Sequence, residues 1–425
     1  MSVSAVVNSR LLDKSMRVFL IPIIAFLISL KLQEVFNVNV FLITVSAAYL
    51  LKNILLPESA DSKHRHLNEL DYALMLIVAV ELITYSTSSY KPNSFYSLLE
   101  VLFFFLFYML VRFNLKYEYQ RIALYVFISL WGVLLSVVAL YYLLALRYTL
   151  ATLGFSDLTD FRNHIYVLTP VGYSIGEWVT VLFLILPFSI ILFVRYRHSA
   201  LARCATMGAL LAVLFTISIT FVRGAYVALL VFFVLGTVLF CAYRIFPLKK
   251  ILVFDAFALG LLMLTLIPWA RPMMTTVSFL KTTAQVRSFE GRKSIWRDSL
   301  KMIKDHPWVG VGANNFVMQY VNYKDQKSET AFALRPFNYF LQVLTEKGLI
   351  GLFAYAFLLF SFYRVSHRKI GLLSGDVYRK SIVLCFMAAY AALVVRDLSE
   401  SSILTNRGVG VLLSFIFASN ARLED

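Results

Sequence analysis

The chain has 425 residues, 60% of them hydrophobic and only 15% charged, with a mean hydropathy of +0.75. A soluble domain carries roughly 45–50% apolar and about 25% charged residues, so a soluble globular protein is excluded and the composition is that of a polytopic membrane protein. The formal net charge of +16 is read as cations of membrane loops, not as a nucleic-acid surface, and no nucleic-acid partner is expected.

Residues 1–14 are polar and mildly basic. The apolar run after them shows no small-residue cleavage site, which predicts a retained first helix and not a removed signal peptide. Runs long enough to cross about 30 Å of hydrocarbon follow at 17–33, 37–56, 71–88, 95–114, 121–145, 177–196, 204–221, 224–243, 250–269, 338–363, 380–396 and 402–419. The prediction is an all-α polytopic membrane protein with about twelve transmembrane helices. Residues 1–145 hold helices one to five, and 146–176 form a first periplasmic loop. Residues 177–269 hold helices six to nine. A large periplasmic loop with short amphipathic helices, 270–337, comes before the tenth span, and 338–425 hold helices ten to twelve. Cys204, Cys241 and Cys385 lie in or beside apolar runs, too few for a disulfide framework or a metal cluster.

The loops alternate in charge. One set carries Arg10, Lys14 and Arg17; Lys52, Lys63 and Arg65; Arg112, Lys116 and Arg121; Arg195, Arg197 and Arg203; Arg244, Lys249 and Lys250; and Arg364, Arg368, Lys369, Arg379 and Lys380. The opposite short loops are cation-poor, with Lys31, Lys91, Arg223, and Arg396 with Arg407. The bias of Lys and Arg toward the cytoplasm then places both termini inside and residues 146–176 and 270–337 outside. The second of these long loops holds eleven Lys/Arg against five Asp/Glu. That excess on the outer side is explained either by an anionic ligand or by a merely solvated basic loop.

Within that loop stands "GRKSIWRDSLKMIKDHPWVGVGANNF", residues 291–316. Ile295, Trp296, Ser299, Leu300, Met302 and Ile303 recur at helical spacing, with Arg292, Arg297, Lys301 and Lys304 off that stripe. The helix is too short and too charged to span and is expected to lie across the mouth of the bundle or in the membrane interface, apolar face down. Pro307 stops it, and Gly310 and Gly312 let the backbone fold back.

The same stretch, with "NYFLQVLTEKGLIG" at 338–351, resembles the signature region of the O-antigen ligase and polymerase superfamily, bacterial inner-membrane glycosyltransferases. Gly291, Arg292, Trp296, Pro307, Gly310, Gly312, Asn338, Leu341, Gln342, Glu346, Gly348 and Gly351 fit its pattern. Upstream, "TFVRGAYVAL" (220–229) resembles the family's arginine-glycine-alanine segment, with Arg223 in the arginine slot. One departure matters. The ligases carry a histidine just before the asparagine, implied to activate the acceptor hydroxyl. Here Arg335, Pro336 and Phe337 precede Asn338, so both histidine slots are lost, which turns the expectation toward the polymerase branch.

The resemblance implies a donor glycan on undecaprenyl diphosphate, a lipid-linked or lipid A-core acceptor, contact with membrane lipid, and a chain-length regulator protein as a further partner. The leaving diphosphate needs fixed positive charge, and arginine grips phosphate oxygens bidentately. Arg223 and Arg292 are the first candidates, with a snorkelling interfacial arginine and a solvated helix cation as the bland alternatives. Arg297, Arg335, Asn338, Gln342 and Trp296 are candidate substrate contacts, joined by Arg162 and His164 of the first outer loop. Glu346 lies in an apolar span, where a carboxylate is expensive. It is either the catalytic base or a structural hydrogen-bond acceptor for the outer loop. His306, before a proline, reads better as a helix-end residue than as a base. Asp397 and Glu400 of "RDLSESS" face the same side. No set of His, Asp or Glu has ligand spacing, so neither a metal nor a cofactor is expected. Three functions compete: a polymerase transferring glycan between lipid diphosphates, a ligase to lipid A-core, and a transporter or flippase. The last predicts repeats meeting at the bilayer midplane, and none is visible.

Overall fold

A computed structural model describes residues 67–115, 117–154, 175–220, 222–249, 251–253, 255–256, 260, 284–324, 335–373, 375–400 and 407–421; at 114, 223, 284–290, 407 and 408 it describes the backbone alone. The first two expected spans, most of the ninth, and Arg162 with His164 lie outside the described residues.

The described residues form helices and no strand. In chain order they are α1 (Glu69–Thr87), α2 (Lys91–Asn114), α3 (Glu118–Thr152), α4 (Ile175–Arg195), α5 (Ala200–Ile219), α6 (Arg223–Ala242), α7 (Ala284–Asp305), α8 (Phe316–Tyr323), α9 (Tyr339–Leu372), α10 (Val377–Arg396) and α11 (Arg407–Ala421). Eight of them are long and apolar enough to cross a membrane: α1 to α6, α9 and α10. α7 is the charged amphipathic helix expected within 291–305, and α11 is a shorter apolar helix of 15 residues. α3 runs past the expected span end at 145. Past 145 no Gly or Pro occurs until Gly154, whose positive φ of 82° follows the helix end. α9 likewise continues to Leu372 and carries the basic residues Arg364, Arg368 and Lys369 on helix instead of loop.

Polar caps mark where several helices begin. Asn68 accepts from the amides of Leu70 and Asp71 at 3.0 and 3.1 Å, and Asp71 accepts from the Asn68 amide at 2.6 Å. Asn338 caps α9 and Asp376 caps α10. The main packed pairs are α6 with α10, α1 with α9, α4 with α5, and α2 with α11. Lipid gives helices little hydrophobic reason to associate, so shape and polar contacts carry the packing. Tyr390 of α10 shows both: its ring lies 4.9 Å from Phe362 and 5.1 Å from Phe417, edge-on to each.

The bundle has two chemically distinct ends. At one, Glu69 pairs with Arg364 and Arg368, and Glu118 with Arg195 and Arg379. Buried Asp71 there pairs with Arg112 and accepts from Tyr108 Oη at 2.7 Å. These cations belong to the cation-rich loop set. At the other end gather the close of α1, the starts of α2, α4, α6 and α9, the close of α10, and the whole of α7 and α8.

Candidate functional site

The second end is built on an exchange of backbone hydrogen bonds. Gly348 breaks α9 with φ 63° and ψ −160°, which frees carbonyls and amides in mid-helix. The turn after Pro307 takes them up. Val311 and Gly312 amides donate to the Thr345 and Glu346 carbonyls at 2.9 and 3.0 Å. In return, Leu349 and Ile350 amides donate to the Pro307 and Trp308 carbonyls at 2.9 and 3.2 Å. The two strands of backbone approach so closely that a Cβ at Gly310 would lie 2.3 Å from the Glu346 carbonyl carbon. A Cβ at Gly348 would lie 2.2 Å from the Trp308 oxygen. Both glycines also hold positive φ, 68° and 63°. The glycines of the signature stretch therefore serve to weld the outer turn onto the broken helix.

Side chains extend the weld. Asn315 Nδ2 donates to Ser88 Oγ at 2.6 Å, and Ser94 Oγ donates to the Ala313 carbonyl at 2.8 Å, which seats the turn on the α1–α2 junction. Glu346 is buried, and its carboxylate accepts from Gln342 Nε2 at 3.3 Å and from the Asn314 amide. Of the two readings of Glu346, the hydrogen bond to the outer loop is thus present in the structure. Next to it, half-buried Lys347 pairs with fully buried Glu81 of α1, and Ser97 Oγ donates to the other Glu81 oxygen at 3.2 Å.

α7 lies across this platform. Its buried face, Ile295 and Met302, packs with Val311, Phe316 and Tyr320. Trp296 Nε1 donates to the Pro336 carbonyl at 2.7 Å. Arg292 Nη1 donates to the Ser399 carbonyl at 3.3 Å, while its guanidinium sits 5.1 Å from the centre of the Phe337 ring. The segment after α10 is the common partner. Asp397 O accepts from the Tyr339 amide at 2.8 Å, Leu398 O accepts from Asn338 Nδ2 at 3.1 Å, and buried Arg396 Nη2 donates to the Gly176 carbonyl at 2.8 Å. The start of α6 lies against the same segment: a Cβ at Gly224 would be 3.2 Å from Ser399 Oγ. Asp397, Glu400 and Arg335 are all within electrostatic range of Arg396.

The sequence-derived residues are therefore distributed as follows. The backbone of Arg223, next to Gly224, and the side chain of Arg292 converge on residues 396–400 from two helices, with Arg335 beside them. Trp296 and Asn338 are engaged by backbone carbonyls and frame that cluster. Gln342 and Glu346 lie beneath it at the weld. Arg297 is exposed on α7, and His306 is exposed at its end. Sequence reading missed three participants. Arg396 looks like an ordinary loop cation, Ser399 acts through its carbonyl, and Phe337 looks like a lost histidine slot. The only available signal was an arginine closing an apolar span, where a charge is costly.

In chemical terms, the end presents guanidinium groups from α7 and the α8–α9 connection, the amino-terminal dipole of α6, and a floor of exchanged backbone bonds. Such a surface suits a polyanion. No curated protein matches the chain. A family model described as O-Antigen ligase matches residues 208–356, which take in the second half of α5, α6, α7, α8 and the first half of α9.

Proposed function

We propose, on the match of residues 208–356 to the O-antigen ligase family model, that the chain is a membrane glycosyltransferase of the O-antigen ligase/polymerase superfamily and of its polymerase branch, working on the periplasmic side of a bacterial inner membrane with both termini in the cytoplasm. The donor is a glycan on undecaprenyl diphosphate, and the acceptor is a sugar hydroxyl of the next lipid-linked repeat unit. The hydroxyl oxygen attacks the anomeric carbon, the carbon–oxygen bond to the diphosphate breaks, and the hydroxyl proton is lost to a base or to the departing diphosphate. Arg223 and Arg292 neutralise the diphosphate as it leaves, with Arg335 adding to the field and no metal required. The observation that carries this reading is the meeting of α6 and α7 on the 396–400 segment, which gathers cations from distant parts of the chain at one end of the bundle.

Glu346 enters as the catalytic carboxylate or as a buttress of the outer turn. Glu346→Gln keeps the shape and most hydrogen bonds but cannot take a proton. A loss of turnover of about a hundred-fold or more marks a base, whereas near-normal turnover marks a buttress.

A ligase to lipid A-core is the alternative that the same site serves. Phe337 in place of a histidine favours the polymerase. Deleting the gene in its host and examining surface glycan on a gel separates the two. A lost length ladder with single repeats still attached to the core supports the polymerase. Loss of all attached glycan with lipid-linked polymer accumulating supports the ligase, and intact ladders overturn both. Arg223→Ala and Arg292→Ala are expected to insert normally and to abolish transfer in vitro. A chelator is expected to leave the wild-type rate unchanged, and strong inhibition by EDTA would contradict the metal-free scheme.

A further inference from the structure

Phe337 holds a backbone conformation that a bulky residue rarely adopts, with φ of 53°. Its neighbours on both sides are tied down. The Pro336 carbonyl is bonded by Trp296, Asn338 caps α9 and bonds Leu398, and the Tyr339 amide bonds Asp397. The ring is wedged between two surroundings. One is the apolar cluster of Ile295, Met302, Val311, Phe316 and Tyr320 beneath α7, and the other is the Arg292 guanidinium, 5.1 Å from the ring centre. Strain of this kind persists where surrounding bonds enforce it, and it gathers at working sites. Packing alone does not call for it, because an aliphatic side chain would fill the same apolar gap.

From this juxtaposition we infer that Phe337 is the positioning residue of Arg292, and that its ring face holds the guanidinium so that the donors left over from Ser399 point at the diphosphate of a lipid-linked substrate. The inference rests on the proposed function and adds the means by which the cation is fixed. An arginine on the outer surface of a helix has several freely rotating bonds and loses entropy whenever it grips a ligand. A ring within about 6 Å pre-pays part of that loss, because its negative face attracts the cation without consuming any N–H donor. The Ser399 carbonyl takes one donor at 3.3 Å. The fork geometry of the remaining N–H groups is then set relative to the start of α6. The slot before Asn338 thereby supplies orientation of a charge instead of proton transfer.

The test uses the full chain purified in detergent, with undecaprenyl diphosphate, free of sugar, as the binding probe and the lipid-diphosphate-linked repeat unit as substrate. Phe337→Leu keeps apolar bulk and removes the ring face. It is expected to weaken probe binding roughly five- to ten-fold, the size of a partly desolvated cation–π contact. Phe337→Tyr and Phe337→Trp are expected to stay within about two-fold of the wild type, since each retains an aromatic face. Phe337→Gly fits the left-handed backbone without strain and is expected to fold and yet bind at least as weakly as the leucine variant. In the Arg292→Ala background, Phe337→Leu is expected to add no further loss. Equal binding by the leucine and tyrosine variants would reduce Phe337 to packing and overturn the inference. So would additive losses in the double variant, or a leucine defect that matches its loss of folded protein. An Arg292→Ala variant that binds the probe as tightly as the wild type defeats the proposed function instead, so the two failures are told apart.

Discussion

Arg292 is held from two directions, by the Ser399 carbonyl and by the Phe337 ring. Trp296, one helical turn on, clamps the chain that carries that ring through its bond to the Pro336 carbonyl. Trp296→Phe keeps an aromatic side chain and deletes the donor, leaving that buried carbonyl unsatisfied. The expected cost is about 1–3 kcal/mol of stability, with turnover reduced several-fold because Phe337 loses its anchor. A thermal melt and a single-turnover assay on the same preparation check both parts. Arg292→Lys is expected to retain charge but lose bidentate grip and stacking, so it should behave nearer to alanine than to wild type in donor turnover. At this scale the sequence marked Arg292, Trp296 and Asn338 by their places in a motif. It gave no hint that Asn338 spends both ends of its amide on backbone, or that Phe337 would face a cation.

The element that matters most is the weld between the 307–312 turn and the break in α9. Four backbone bonds cross it, and neither side is complete alone. Gly348→Ala places a methyl group 2.2 Å from the Trp308 oxygen in a positive-φ position, so the exchange must open. The expected loss is on the order of 3 kcal/mol or more, read as a lower melting temperature and faster proteolysis around residues 306–315. Gly371→Ala is the control on the same helix. Nothing lies within 4 Å of its added methyl group, and it sits in the last turn of α9 with no positive φ, so stability should be unchanged or slightly higher. The helices themselves were legible because apolar runs and caps are local signals. Their ends were less so: α3 and α9 both overrun the hydropathic segment, since helix propensity continues where hydrophobicity stops.

Among the described residues, ion pairs gather at both ends of the bundle, and at the second end one of them joins α1 to α9. Glu81 is fully buried and Lys347 half-buried. Removing one partner leaves an uncompensated charge at a cost of roughly 3–5 kcal/mol, whereas replacing both by apolar groups of similar size is often neutral. Lys347→Met is therefore expected to lower the melting temperature sharply, and Glu81→Leu with Lys347→Met to restore most of it. A double variant no more stable than the single one would mean that Glu81 serves another partner, such as Ser97.

By itself the sequence determined a helical membrane protein, the alternation of its cationic loops, the charged amphipathic helix within 291–316 and the likeness of residues 208–356 to the O-antigen ligase family model, because hydropathy, periodicity and motif spacing are properties of neighbouring residues. Only the tertiary structure decided which arginines meet and what each one touches. It was the fold that paired the Pro307 turn with the Gly348 break, brought Ser399 under Arg292, and laid Phe337 against its guanidinium. Those contacts join residues from 34 to 107 positions apart. A hydrogen bond or a cation–π contact acts over a few ångströms of space, and distance along the chain carries no record of it.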